Sequence, residues 1–351
     1  MKKYKILDHP WHLAHAWELQ KLPFIEWDYM VNPYRGWADT IRDSKPNVNW
    51  VTHYEPGKYD AVLLHLDQQC VDPRMGKGQL YRQMNEAIQD IPKIVIMHGT
   101  TLYEPSDIKG LPDRDIIVNG GDVYRRGSTE PEHFDGIKQL VGDNSFICNS
   151  KQARDDFGWG EYIIHGLNVD DWLVKTKEPR ACVSVAPAGM SEVYYGRRFL
   201  RSLKNILEEE YGIKLWWIGV DYQSTRDNRF GNAYDAYRDM LARSLIYINP
   251  TLDSPMPRAR TEAMASGCCV LTTPQHGADE FIDNAKNGFI IDGKDPYRTA
   301  RLVYELIENH FDEAVQIGRN ARQTVADKLN HKQFADQWLK FLKKTIGEPK
   351  G

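Results

Sequence analysis

The sequence predicts two successive α/β units, each an open parallel sheet covered by helices. Three observations carry this expectation. Short, nearly continuous apolar runs recur along the chain, as in strands buried on both faces. Amphipathic stretches of helical length separate them. The alternation runs twice, with a charged, proline-containing break at Asp171–Arg180 between the two series.

In the first series the strands fall at Tyr4–Leu7, Phe24–Met30, Ala61–Leu66, Lys93–His98, Ile116–Val118, Phe146–Cys148 and Tyr162–Ile164. Gly78–Asp90, Phe134–Val141 and Lys151–Phe157 read as helices between them. In the second series strands are expected at Ala181–Ala186, Leu215–Ile218, Leu245–Ile248, Cys268–Leu271 and Phe289–Ile291. The intervening helices are Tyr195–Glu210, Ala233–Ala242, Arg258–Ser266 and Gly277–Asn284, and the end is helical over Pro296–Asn309, Phe311–Leu329 and Lys332–Ile346. The domains are therefore set at 1–172 and 173–330, with 331–351 as a terminal helical segment.

The length of 351 residues suits two domains, and 41% hydrophobic with 27% charged residues supplies ordinary cores and excludes a disordered chain. No run approaches the ~18–20 apolar residues of a membrane span. The N-terminus lacks an apolar signal core, and the five cysteines form no C-x-x-C pair. Together these predict a cytoplasmic protein with reduced, buried thiols and no integral membrane association. The net charge of −4 is uneven: 1–172 carries −7 and 173–351 carries +3, so the second half suits an anionic ligand better.

Ligands of open parallel sheets sit beyond the carboxyl ends of the strands, which directs attention to the strand-to-helix loops. The most informative stretch runs from Tyr247 to Ile291. A strand ends at Asn249-Pro250, and a loop through Ser254, Met256 and Pro257 opens a helix that Gly267 closes. That loop offers backbone N–H groups at a helix N-terminus, a ready anion site. Arg258 and Arg260 can add fork-shaped charge for a diphosphate, and Arg258, nearer the helix start, is the better placed. Glu262, one turn in, can accept hydrogen bonds from sugar hydroxyls.

This stretch resembles the donor signature of GT-B glycosyltransferases, in particular the large retaining family-four type (glycosyl transferases group 1). The family pattern E-P-F-G-x-x-x-x-E-A-M-A-x-G-x-P-V aligns without a gap on S-P-M-P-R-A-R-T-E-A-M-A-S-G-C-C-V. Glu262 falls on the second Glu, which in the family binds the nucleotide ribose. Ser254 replaces the first, which contacts the transferred sugar. Gly277–Glu280 and Asn287-Gly288 match the pattern that follows. Earlier in the chain, Phe146–Lys151 looks like the strand that ends the family's first domain, and Ile163–Asp170 like its entry to the interdomain crossing. His98-Gly99-Thr100 stands where the family has a His facing the sugar. The family's diphosphate-binding Lys is replaced by Tyr195, so Arg197, Arg258 or Arg260 must supply the charge.

The resemblance implies a GT-B fold: two facing doubly wound Rossmann-like domains with an interdomain cleft, and a terminal helix packing back toward the first domain. It implies a retaining, metal-independent hexosyltransferase whose donor is a nucleotide-sugar, with a UDP-sugar favoured over a GDP- or ADP-sugar, and no cofactor. The catalytic set is then His98, Arg258 and Glu262. The donor would contact Arg197, Gly219, Pro250, Thr251, Ser254, Met256, Pro257, Arg258 and Glu262. On the acceptor side stand His12, Gly99 and Thr100.

Several features invite other readings. His9, His12 and His15 lack the i, i+4 spacing of a helical zinc pair, so no metal is expected. Asp113-Arg114-Asp115 precedes a strand and reads as surface charge, and neither a phosphate loop nor a dinucleotide fingerprint is present. Trp11 and Trp37, in loops, could stack on a sugar or base. The acceptor is expected to be a glycan or glycoconjugate hydroxyl. Hydroxymethylated DNA is an alternative that the acidic first half disfavours, although Arg125-Arg126 could add local positive charge. A silent sugar-nucleotide-binding protein is the third reading. The oligomeric state is open.

Overall fold

A computed structural model describes residues 2–31, 42, 45–71, 76–101, 131–183, 196–218, 233–251, 254, 256–274 and 278–349. The chain forms two compact units. The first holds the described residues up to Thr101, those from 131 to Gly166, and those from His331 onward, and the second holds Leu167–Asn330. The sequence boundary at Trp172 thus falls a few residues inside the second unit. There Leu167 bridges to Asn330, and the Trp172 carbonyl accepts a hydrogen bond from Arg322.

In the first unit the elements are β1 (Tyr4–Asp8), α1 (Leu13–Leu19), β2 (Ile25–Met30), β3 (Val48–Val51), β4 (Ala61–Leu66), α2 (Gly76–Ala87) and β5 (Lys93–Met97). They continue with α3 (Pro131–Val141), β6 (Ser145–Cys148), α4 (Lys151–Phe157) and β7 (Glu161–Tyr162). The seven strands lie in the order β3-β2-β1-β4-β5-β6-β7, every pairing parallel. Side chains alternate across the sheet. Ile6, Trp27, Leu63, Ile94 and Ile96 face one core, and Leu7, Val62, Leu64, Val95 and Met97 face the other. The final helix of the chain (His331–Ile346) adds Phe334, Trp338, Phe341 and Leu342 to the first of these cores.

The second unit comprises β8 (Glu178–Val183), α5 (Arg197–Glu210), β9 (Leu215–Trp217), α6 (Ala233–Arg243), β10 (Ser244–Asn249), α7 (Arg258–Ala265) and β11 (Cys269–Thr272). After them come α8 (Ala278–Phe281), β12 (Phe289–Ile290), α9 (Pro296–Glu308) and α10 (Phe311–Lys328), so that His331–Ile346 is α11. Its sheet order is β12-β11-β10-β8-β9, again parallel throughout. Both units are doubly wound parallel sheets, as the sequence predicts.

The differences from expectation have local causes. β3 (Val-Asn-Trp-Val) is a partly exposed edge strand with no apolar run to mark it. β8 starts at Glu178, inside the charged break, and tolerates Pro179 because β9 pairs only from Ala181 onward. The helix expected over 277–284 is a single turn. The strand expected at Ile116–Val118 lies outside the described residues.

The end of α7 is a Schellman turn. Cys268 N–H bonds Ala263 C=O at 3.0 Å and Gly267 N–H bonds Met264 C=O at 2.9 Å, with Gly267 at φ +73°. A β-carbon at residue 318 of α10 would collide with the Gly267 carbonyl, so glycine at 318 lets α10 lie directly on this turn.

Candidate functional site

In sheets of this kind ligands bind where the strand order reverses. In the first unit that point lies between β1 and β4, and in the second between β8 and β10. Each carries a cluster of polar side chains.

The first cluster is made of histidine. His9 follows β1, His12 and His15 sit at and in the start of α1, His65 is in β4, His98 follows β5, and His165 lies beyond β7. Six of the chain's 11 histidines are gathered here. His65 Nε2 is 2.7 Å from Asp8 Oδ1, and His65 Nδ1 is 2.6 Å from His98 Nε2. The His65 backbone N–H donates to His9 Nε2 at 3.3 Å. His12 stacks on His98 with ring centroids 4.0 Å apart, and His15 stacks on His165 at 4.2 Å. Lys77 of α2, 4% exposed, donates to Asp67 Oδ2 at 2.9 Å and to His12 Nε2 at 3.0 Å. Asn149 Nδ2 donates to the Met97 carbonyl at 3.0 Å and lies 3.5 Å from His98 Nδ1.

Burial dominates the electrostatics. It lowers His9 and His65 to about 3, helped by neighbouring His65 and Lys77 charge respectively, and holds His98 well below its ordinary value. Burial also raises Asp8 to about 7. The Asp8–His65 contact is therefore a hydrogen bond to a neutral imidazole. Among the described residues, no group of His, Cys, Asp and Glu is arranged to hold a metal ion.

The second cluster is ionic and hydroxylic. β10 ends at Asn249, whose Nδ2 donates to Thr272 Oγ1 at 2.9 Å and whose Oδ1 accepts from Thr251 Oγ1 at 3.1 Å. Thr273 Oγ1 donates to the Thr251 carbonyl, tying the ends of β10 and β11 together. α7 is buried almost all round, so its polar side chains need partners. Glu262, 3% exposed, accepts from Tyr237 of α6 at 2.8 Å and from Arg258 Nε at 3.4 Å. Arg260 is wholly buried and reaches Met256 Sδ, pinning the loop before the helix.

Most residues singled out from the sequence fall into these two clusters. Pro250 and Thr251 follow β10, and Ser254, Met256 and Pro257 lead into α7, which Arg258 opens. Arg197 opens α5 behind Gly196, whose φ is +60°. His12, His98, Gly99 and Thr100 belong to the first cluster. Gly219, Trp37, Tyr195, Gly277, Asp113–Asp115 and Arg125-Arg126 lie outside the described residues. Sequence reasoning missed Asp8, His65, Lys77, Asn149 and Tyr237. The runs Leu63-Leu64-His65-Leu66 and Met97-His98 held the available signal, a polar ring inside or at the end of a buried strand.

Comparison with known proteins agrees with the fold and matches the region that holds the second cluster. Residues 229–324, which include Tyr237, Asn249, Arg258 and Glu262, match the family described as glycosyl transferases group 1. The chain is 24% identical over 304 residues to a sucrose synthase of Denitrovibrio acetiphilus, covering 81% of this chain and 37% of that protein. It is 27% identical over 314 residues to a sucrose synthase of Nitrosomonas europaea, covering 80% and 36%. The chain thus spans little more than a third of the length of these relatives.

Among solved structures it is similar to sucrose-phosphate synthase from Thermosynechococcus elongatus, with TM-score 0.64, 11% identity, and coverage of 97% of this chain and 99% of that one. It is also similar to Anabaena Alr3699/HepE in complex with UDP and glucose, with TM-score 0.62, 12% identity, and coverage of 97% and 100%. With two doubly wound parallel sheets the chain has a GT-B fold, and residues 229–324, Glu262 among them, match the glycosyl transferases group 1 family.

Proposed function

We propose that this protein is a retaining, metal-independent glycosyltransferase. It moves a hexosyl group from a nucleotide-sugar, a UDP-sugar in preference to a GDP- or ADP-sugar, to a hydroxyl of a glycan or glycoconjugate. The observation that carries the reading is the buried Glu262 at the reversal point of the second sheet. Tyr237 and Arg258 hold its two oxygens, and the residues around it match the group 1 family. The names of its neighbours in fold, a sucrose-phosphate synthase and a protein complexed with UDP and glucose, support a sugar-nucleotide donor.

In this reading Glu262 accepts the ribose hydroxyls, and the Pro250-Thr251 turn with Gly219 flanks the base. The diphosphate lies on the loop of Ser254, Met256 and Pro257, where α7 N–H groups, Arg258 and Arg197 stabilise the charge that builds as the sugar leaves. The departing phosphate takes the acceptor proton, so the carboxylates serve binding and not covalent attack. In the first unit His98, with His12, Gly99 and Thr100, contacts sugar hydroxyls.

The test is nucleotide release from UDP-, GDP- and ADP-sugars, with and without glycan acceptors and hydroxymethylated DNA. Release from a UDP-sugar that depends on a glycan acceptor is expected, with Glu262→Ala losing it. Transfer by Glu262→Ala at wild-type efficiency removes the ribose assignment.

A further inference from the structure

The first cluster fixes where one proton sits. His65 Nε2 faces Asp8 Oδ1, and Asp8 Oδ2 has no partner in the structure, so the hydrogen of this contact sits on His65 Nε2 when Asp8 is ionised and can sit on Asp8 Oδ1 when it is protonated. With its hydrogen on Nε2, His65 leaves Nδ1 bare. That bare nitrogen is 2.6 Å from His98 Nε2, so the hydrogen between them belongs to His98. The other edge of His98 decides between the two. The Met97 carbonyl accepts from Asn149 Nδ2 and so orients the amide, turning its NH₂ toward His98 Nδ1. A donor at Nδ1 leaves the hydrogen of His98 on Nε2, so His65 Nδ1 accepts it and His65 Nε2 donates to Asp8.

We propose that Asp8 and His65 are positioning residues that hold His98 as a neutral ring protonated on Nε2. The one lone pair of His98 is then on Nδ1, where the Asn149 amide stands 3.5 Å away; a sugar hydroxyl that donates to Nδ1 takes the place of that long contact, and His98 does not act as a general acid. The sugar rests on the function proposed above; the tautomer does not. The groups around this chain are His9 and Tyr29 beside Asp8, His12 and His15 against the His98 ring, Lys77 from α2, and Asn149 beyond β6. Burial keeps the two imidazoles uncharged: a second proton on His65 would set N–H against N–H at His98, and His65 is held down to about 3. Plain packing of aromatic rings would leave the tautomer of His98 indifferent to Asp8, which separates the two accounts.

The experiment is a two-bond ¹H–¹⁵N correlation on protein labelled with ¹⁵N-histidine, with the His98 signals assigned by their loss in His98→Gln. At pH 7 wild type is expected to show His98 as the neutral Nε2–H tautomer. Asp8→Ala combined with Asn149→Leu removes both constraints and is expected to give a mixture of tautomers. A wild-type His98 that is mainly Nδ1–H or doubly protonated overturns the proposal. So does an unchanged Nε2–H tautomer in a folded double variant. If that variant does not fold, the wild-type spectrum alone decides. In transfer assays Asp8→Ala is expected to lower kcat at least tenfold with KM for the nucleotide-sugar within twofold. A wild type that transfers no sugar sinks the proposed function and leaves the tautomer measurement standing.

Discussion

The two units share an architecture and differ in the chemistry at the reversal point of their sheets. In the first, the strand ends carry buried imidazoles held neutral, linked ring to ring from Asp8 through His65 to His98. In the second they carry an ion pair, Arg258–Glu262, with a tyrosine and a threonine–asparagine network. Both sheets carry polar side chains beyond their carboxyl ends, and side-chain choice decides their chemistry. Neutral rings keep protons at fixed atoms. A carboxylate and a guanidinium present charge that an ionic or hydroxyl-rich ligand can compete for.

The largest expected consequence is acid lability seated in the first unit. His9, His65 and His98 have folded values below their ordinary 6.5, so they stabilise the fold fully above that pH and lose the contribution as pH falls toward 3. Asp8, raised from 3.8 to about 7, works the other way: its contribution is complete at low pH and is lost as pH rises through 7. From pH 6 to pH 4 the unfolded chain holds up to three more protons than the folded chain on these histidines, and the folded chain holds up to one more on Asp8, so stability falls as the pH falls. Urea denaturation monitored from pH 7 to pH 4 measures it. His65→Phe should make that fall shallower, because one of the three depressed histidines is gone, and an unchanged slope would break the contrast between the units.

Next comes Glu262→Ala, which removes the acceptor of both Tyr237 and Arg258. We expect nucleotide-sugar affinity to fall by about 100-fold, ~2.7 kcal/mol, by calorimetry. The ¹⁵N-histidine spectrum of the first unit should stay unchanged. Tyr237→Phe takes away one hydrogen bond to a carboxylate, worth about 1.5–3 kcal/mol. The same calorimetry is expected to show roughly a tenfold loss, with Arg258 still holding Glu262 in place. A Tyr237→Phe loss as large as that of Glu262→Ala would shift the ligand-binding role from the carboxylate to the phenol.

These contrasts also explain what the sequence made legible. The second cluster is written almost contiguously: Asn249 to Glu262 is one strand end, one loop and one helix, and Gly267 marks the helix stop that the Schellman turn realises. The first cluster is spread over Asp8, His12, His65, Lys77, His98 and Asn149, brought together only by strand order. A histidine inside an apolar run such as Leu64-His65-Leu66 shows burial, but not which partner receives its proton. Tyr237 was hidden for the same reason, since its hydroxyl meets Glu262 from a different helix, 25 residues away in sequence. The strands were readable from their apolar runs, while β3 and the early start of β8 depend on pairing that local sequence does not encode.

The smallest expected effect sharpens the comparison most. Thr251→Val keeps the shape of a buried side chain and removes the hydroxyl that donates to Asn249 Oδ1. Asn249 retains its own donation to Thr272, so the end of β10 stays attached to β11, but one buried oxygen loses its partner. That costs about 1–2 kcal/mol, read as a lower urea midpoint with an unchanged slope. Because the turn following β10 is the proposed seat of the base, nucleotide-sugar affinity should fall only a few-fold, well short of the loss in Glu262→Ala. The His98 tautomer should not move. If this substitution altered the histidine spectrum, the two strand-end clusters would be energetically linked, and the division between proton-holding and charge-presenting ends would have to be replaced by a single coupled network.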